Sequence, residues 1–98
     1  MNYRFHLEAS AEYEADIRFY RKRQPGLQHR FVAAVEETIG RILEHPERWR
    51  MIEPEIRRCL TRKFPYSVIY SVQGDTVFII AVAHGSREPG YWKPRVAP

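Results

Sequence analysis

The spacing of the apolar residues changes once along this chain, and that change constrains the fold more than any other feature. Beyond a short N-terminal segment and as far as His45, apolar side chains recur at about every third or fourth residue, the period of an amphipathic helix. From Ile56 onward they alternate with polar residues or run together, as they do in β-strands. Such a chain is expected to pack helices against a sheet in two layers.

The first predicted helix begins with Ser10 as its N-cap and ends near Arg23, where the sequence QPG interrupts the apolar pattern. Three acidic residues complement the positive end of the helix dipole in its first turns: Glu12, Glu14 and Asp16. Three cations stand at its other end, where the dipole is negative. The helix therefore has both charge signatures that are expected of its ends.

The second predicted helix runs from Leu27 to Glu44, and Pro46 stops it. Its apolar residues form a stripe along one face: Leu27, Phe31, Val35, Ile39 and Ile42. Because the QPG connection is short, the two helices are expected to fold back on each other as an antiparallel hairpin.

Four segments predict strands. The N-terminal segment NYRFHL alternates between apolar and polar residues and precedes the helices. Three runs follow the helices: IRRCLTRKF at 56–64, YSVIYSV at 66–72 and TVFIIAVA at 76–83. Gly74 and Asp75 form a two-residue hairpin signal between the last two runs. The final run is apolar throughout, which predicts a central strand covered on both faces.

The predicted order is therefore β-α-α-β-β-β, an α+β fold with a helical hairpin packed on a small, mostly antiparallel sheet. The 98 residues are expected to form one domain, 1–98. No apolar run reaches the roughly 20 residues of a membrane span, and the N terminus lacks the apolar core of a secretory signal. The lone Cys59 fits a reducing cytoplasm, and the four scattered histidines have no zinc-ligand spacing. We therefore expect a cytoplasmic protein with no membrane partner, no metal and no cofactor.

The charge is concentrated in the second half of the chain. Residues 1–49 contain eight Lys or Arg against eight Asp or Glu, whereas residues 50–98 contain eight against four. Thirteen of the sixteen cations are arginine, whose planar guanidinium suits phosphates and carboxylates. The second half is therefore expected to meet an acidic partner, either a nucleic acid or an acidic protein.

The C-terminal third, RKFPYSVIYSVQGDTVFIIAVAHGSREPGYW, resembles the RelE/ParE superfamily of toxins from type II toxin–antitoxin pairs. EADIRFY in the first helix and RFVAAVEETIGRILEHPERW in the second extend the resemblance over Tyr3 to Arg95. It is closer to the ParE-type, or plasmid-stabilisation, branch than to the RelE branch. The resemblance implies a small growth-inhibiting toxin that a cognate antitoxin holds inactive. ParE-like members inhibit DNA gyrase without known catalysis, whereas RelE-like members cleave mRNA on the ribosome.

RNA cleavage without a metal needs a base, a cation near the developing phosphorane charge, and an acid. Within the resemblance, Arg87 matches the late arginine of RelE-like toxins, and Tyr91 lies near their late tyrosine. Arg62 is a candidate cation on a middle strand, and His84 is a candidate acid or base. His84 is more simply a histidine that ends a buried strand and bonds to the backbone there. Ser67 stands where RelE-like toxins have an arginine, so the set is incomplete.

The residues expected to bind the antitoxin or the target lie in two basic stretches: Arg57, Arg58, Arg62, Lys63, Arg87, Tyr91, Trp92 and Lys93. The run RRCLTRK is alternatively an edge strand, or one with a bulge, whose charges prevent aggregation. Trp92 is expected to fold back on the core, and Tyr91 to be more exposed. The favoured hypothesis is a gyrase inhibitor. A ribosome-dependent mRNA endonuclease and a non-toxic member that only pairs with its antitoxin stay open.

Overall fold

The computed structural model describes residues 1–96, which form two α-helices packed on a five-stranded sheet. In chain order the elements are β1 (Asn2–Phe5), α1 (Leu7–Arg23), α2 (Leu27–Glu44), β2 (Arg50–Glu53), β3 (Ile56–Leu60), β4 (Tyr66–Gln73), β5 (Thr76–His84) and a short 3-10 helix (Lys93–Arg95). The strands lie in the order β1-β5-β4-β3-β2. The pair β1–β5 is parallel and the other pairs are antiparallel, so the predicted α+β fold with a mostly antiparallel sheet is confirmed.

Strand β2 is an addition to the predicted order, and it changes the position of β3. Because β2 forms the edge, β3 lies between β2 and β4, and the interpretation of the basic run as an edge strand is wrong. The pairing of β2 with β3 has a register shift between Met51 and Glu53, so the irregularity lies in β2 and not in the basic run, where a bulge was expected. Strand β3 ends at Leu60 rather than at residue 64, and Lys63 just beyond it has a positive φ of 69°.

Helix α1 begins earlier than predicted, and its N-cap is His6 rather than Ser10. The Nδ1 atom of His6 accepts a hydrogen bond from the backbone N–H of Glu8 at 3.0 Å. Ser10 lies inside the first turn, where its N–H bonds to the carbonyl of His6. An imidazole nitrogen here replaces the hydroxyl or carboxylate that usually satisfies the first free N–H groups of a helix. The bounds predicted for α2 are confirmed.

The core has one layer on each face of the sheet. On one face, α1 contacts β5 and α2 contacts β3 and β4. The buried layer on this face includes Phe31, Val35, Ile39, Ile42, Val68, Tyr70, Val77, Ile79 and Val82. On the opposite face, Trp92 covers Ile69, Ile80, Ala81 and Ala83 and is only 4% exposed. The prediction that Trp92 folds back on the core is therefore confirmed, as is the double coverage of the last strand.

A β-bulge in β5 shifts which residues face each layer. Ile69 pairs with Ala81 and its neighbour Tyr70 pairs with Ile79, which leaves Ile80 as the extra residue. Ile80 and Ala81 consequently both belong to the layer opposite α2. Within the described residues 1–96, no helix is long and apolar enough to cross a membrane.

We predict that Tyr70→Phe destabilises the fold by about 1 kcal/mol. Tyr70 is fully buried, and its hydroxyl donates to the carbonyl of Pro46 in the connection between α2 and β2. Removing the hydroxyl deprives that carbonyl of its donor while leaving the ring in the core. Urea denaturation measures the free energy of unfolding. Tyr3→Phe is the matched control, because Tyr3 is 41% exposed. Equal stabilities for the two variants would contradict the prediction.

Candidate functional site

A cleft of about 350 Å³ lies on the sheet face opposite α2, between β2–β5 and the chain that follows β5. We call it the C-terminal cleft. Its floor is apolar and includes Ile52, Ile69, Ala83 and Trp92. Its rim carries charged and titratable side chains: Glu53, Arg58, His84, Arg87, Glu88 and Lys93. The rim thus has three cations and two carboxylates around an apolar floor, and an apolar centre with a polar margin is typical of protein interfaces.

The chain after β5 forms the far wall of the cleft by turning back over the sheet. Gly85 anchors the start of the turn, because its N–H donates to the carbonyl of Pro65 at 2.7 Å. Gly90 allows the return, since its φ is 77° and a Cβ there would lie 2.9 Å from the Lys93 side chain. The turn delivers Trp92 onto the floor. The local sequence SREPGYW therefore both completes the second layer of the core and forms a wall of the cleft.

We call residues 85–96, which follow β5, the C-terminal segment. One carboxylate, that of Glu12 on α1, receives three side chains of this segment. Its Oε1 accepts from the Tyr91 hydroxyl at 2.8 Å and from Arg95 at 3.3 Å. Its Oε2 accepts from Arg95 and Arg87, both at 3.2 Å. Arg95 also donates to the carbonyl of Ile80, the bulge residue, at 3.0 Å. Helix α1, strand β5 and the C-terminal segment thus meet at Glu12.

This contact decides what Tyr91 and Arg87 can do chemically. Burial, followed by the hydrogen bond to Glu12, raises the pKa of Tyr91 above its usual range. Tyr91 is therefore a neutral donor to Glu12 rather than a base, and it is more buried than expected from the sequence. The guanidinium of Arg87 lies 3.9 Å from the centre of the Tyr91 ring, in a cation–π contact. Both candidate catalytic residues are held by structural contacts.

His84 lies on the rim and is bound locally. Its Nδ1 accepts the backbone N–H of Ser86 at 2.9 Å and lies 2.7 Å from the Ser86 hydroxyl. A neutral ring in this position carries its proton on Nε2. The ring also packs edge-on against Tyr66, with centroids 5.1 Å apart. A histidine that ends a buried strand and bonds to the backbone is the arrangement that the structure shows.

Within residues 1–96, the guanidinium group of Arg58 on the rim forms neither an ion pair nor a side-chain hydrogen bond. Arg58 stands directly opposite Arg50 across the β2–β3 pair, so two like charges face each other on one side of the sheet. Among residues 1–96, neither of these arginines has an ion-pair partner. By contrast, Lys93 pairs with Glu53, at 3.6 Å between nitrogen and oxygen. Two facing arginines cost stability unless an anion joins them, which makes this pair a candidate contact for an acidic partner.

The remaining basic candidates lie outside the C-terminal cleft. Arg57 donates to the carbonyl of Trp49 at 2.8 Å, on the helix side of the sheet. Arg62 and Lys63 line a separate groove beside α2, where Arg62 lies 3.5 Å from Glu37. The four candidate catalytic residues are therefore not all brought together, because Arg62 does not line the cleft that Arg87, Tyr91 and His84 share.

The roles of Glu12, Arg50 and Arg95 could not be predicted from the sequence. Glu12 was explained there by the helix dipole alone, and its three partners lie 75 to 83 residues away in the chain. No motif spacing signals a contact of that range. Arg50 lies in the unpredicted strand β2. No group of three or more His, Cys, Asp or Glu side chains within residues 1–96 is arranged to hold a metal ion.

Comparison with known proteins gives a family match and several structural matches, including the following two. The family model described as the ParE toxin of type II toxin–antitoxin system, parDE, matches residues 3–89. No curated protein matches the sequence. A chain from the chromosomal ParDE system of P. aeruginosa is 17% identical, with a TM-score of 0.74 over 86% of this chain and 95% of that one. The isolated RelE toxin of E. coli is 20% identical, with a TM-score of 0.58 over 94% and 92%.

We predict that Asp16→Asn raises the melting temperature at pH 7. Burial is the main cause that raises the pKa of Asp16, although a hydrogen bond from Tyr66 and the charges of His84 and Arg87 oppose it. A folded-state pKa above the unfolded one means that stability present at low pH is lost as the pH rises through the folded pKa. Asparagine removes the charge and can still accept from the Tyr66 hydroxyl.

Thermal unfolding followed by circular dichroism at roughly pH 3 and at pH 7 measures this effect. The two proteins should have similar melting temperatures at the acid pH, where Asp16 is protonated, and should diverge at neutral pH. Glu14→Gln is the control, because Glu14 is an exposed carboxylate on the same helix. A lower melting temperature for Asp16→Asn at pH 7 would show that the charged carboxylate is stabilising after all.

Proposed function

The chain belongs to the family of ParE toxins of type II toxin–antitoxin systems, and we propose that it is the toxin of such a pair. In this proposal a cognate antitoxin neutralises it. When free, it inhibits DNA gyrase by direct binding rather than by a chemical reaction. The target contacts the C-terminal cleft, through its apolar floor and through the cations on its rim.

The state of the cleft's polar groups supports binding over cutting. Arg58 and Arg87 can bind an anion, but a guanidinium group has only donors and cannot serve as a general base. The Tyr91 hydroxyl donates to Glu12, and Lys93 is paired with Glu53. His84 is the remaining candidate for the base that would deprotonate a ribose hydroxyl, and its Nδ1 already accepts a hydrogen bond from Ser86. The same groups are well suited to the polar margin of a protein interface, where arginine is enriched.

The proposal predicts that the purified, folded chain inhibits DNA supercoiling by gyrase. Plasmid relaxed beforehand is incubated with gyrase, ATP and increasing amounts of the chain, and the topoisomers are separated on a gel. Full supercoiling at a large molar excess of folded chain would overturn the proposal.

We further predict that Arg58→Ala weakens this inhibition by about tenfold, because arginine is among the residue types that contribute most to interface binding energy. Arg58 has no ion-pair partner among the described residues, so its loss should leave the fold intact. Arg18→Ala is the matched control, because it removes the same charge from an exposed position on α1. Equal inhibition by both variants would place the target contact elsewhere on the surface.

One observation favours a second function, ribosome-dependent mRNA cleavage. Arg58, His84 and Arg87 line the same cleft and surround a space large enough for a phosphate and a base. Primer extension on translated messages after induction should then show new 5′ ends, which Arg87→Ala abolishes. Intact messages during growth arrest would exclude this function. A chain that does not slow growth at all would instead indicate a member that only pairs with its antitoxin.

A further inference from the structure

Among residues 1–96, Glu12 is the one carboxylate of α1 that forms ion pairs with the C-terminal segment. Its side chain is 11% exposed and that of Arg95 is 10% exposed, so this ion pair is shielded from water. Both oxygens of Glu12 are used twice, because each accepts from Arg95 and from one further donor. A shielded carboxylate with charge-assisted bonds on every side is a strong anchor, and its loss would leave Arg95 buried without a counter-charge.

The same carboxylate determines where Arg87 points. Arg87 is 49% exposed on the rim of the C-terminal cleft, so a free side chain there would sample several rotamers. Glu12 holds one of its nitrogens at 3.2 Å, and the Tyr91 ring holds the guanidinium plane at 3.9 Å. The orientation of that ring depends on Glu12 too, through the hydroxyl bond at 2.8 Å. Arg87 is therefore oriented by Glu12 directly and through Tyr91.

We propose that Glu12 is a positioning residue for target binding. It fixes the C-terminal segment over the sheet and presents Arg87 at the rim of the cleft in one orientation, without touching the target itself. This inference rests on the proposed function insofar as the cleft is the target surface. Its structural part, the dependence of the C-terminal segment on one carboxylate of α1, stands apart from the identity of the target.

Hydrogen exchange on the full chain tests the structural part. The backbone N–H groups of Arg95 and Val96 bond to the carbonyls of Trp92 and Lys93 within the C-terminal segment. Glu12→Gln should speed their exchange by about tenfold or more, the loss expected when a buried charge-assisted bond is removed. Exchange within β4 should not change, and Glu14→Gln should leave both regions as they are. Unchanged exchange of Arg95 and Val96 in Glu12→Gln would overturn the inference.

Gyrase inhibition tests whether Glu12 acts through Arg87. Glu12→Gln should weaken inhibition about as much as Arg87→Ala does, and the double variant should be no weaker than Arg87→Ala alone. A merely structural role would give losses that multiply, and that result would overturn the positioning role. If the wild-type chain does not inhibit gyrase, the proposed function fails, and the exchange measurement still decides whether Glu12 holds the segment.

A second variant covers the case in which Glu12→Gln does not fold. Tyr91→Phe removes one hydrogen bond to Glu12 and keeps the ring under Arg87, without uncovering a buried charge. It should speed the exchange of Arg95 and Val96 by a smaller factor than Glu12→Gln and leave the melting temperature nearly unchanged. If Arg95 and Val96 of this variant exchange at the wild-type rate, the inference that Glu12 holds the C-terminal segment is contradicted.

Discussion

Strand β5 is apolar on both faces, and each face needs a cover that excludes water. Val77, Ile79 and Val82 lie on the face covered by the helices, where α1 contacts β5, whereas Ile80 and Ala81 lie on the other side of the sheet. The helical hairpin supplies the first cover. The second is supplied by the chain that follows β5, which turns at Gly90 and lays Trp92 across the sheet. The C-terminal segment is thus part of the core, and it also forms one wall of the cleft.

The contacts that hold the C-terminal segment on the sheet also determine how its side chains are presented to a partner. Its polar residues converge on Glu12 of α1, so the side chains that resemble catalytic groups serve as attachments. A tyrosine that donates to a shielded carboxylate and an arginine stacked on its ring are poorly placed for proton transfer. They are well placed to present a fixed, cationic surface to a partner, since a preorganised side chain loses little entropy on binding. The facing pair Arg50 and Arg58 extends that surface along the sheet.

Strong local signals in the sequence predicted much of the fold. The stripe of α2 ends before Pro46, and Gly74-Asp75 joins β4 and β5 as expected. Strand β2 was missed because its four residues, RMIE, are too few to show an alternation. His6 was missed as a cap because imidazole is an unusual capping group. The candidate site was only partly predictable. Arg58 and Arg62 appear equivalent in the sequence, yet β3 ends between them and sends them to different surfaces.

In the proposed function, this ParE-family chain binds gyrase through the C-terminal cleft and the cations on its rim. The decisive measurement is a calorimetric titration of the folded chain into purified gyrase, repeated at increasing salt. We expect saturable binding whose Kd rises as salt screens the arginines on the rim. An absence of binding at low salt, with both proteins folded and active, would overturn the proposal.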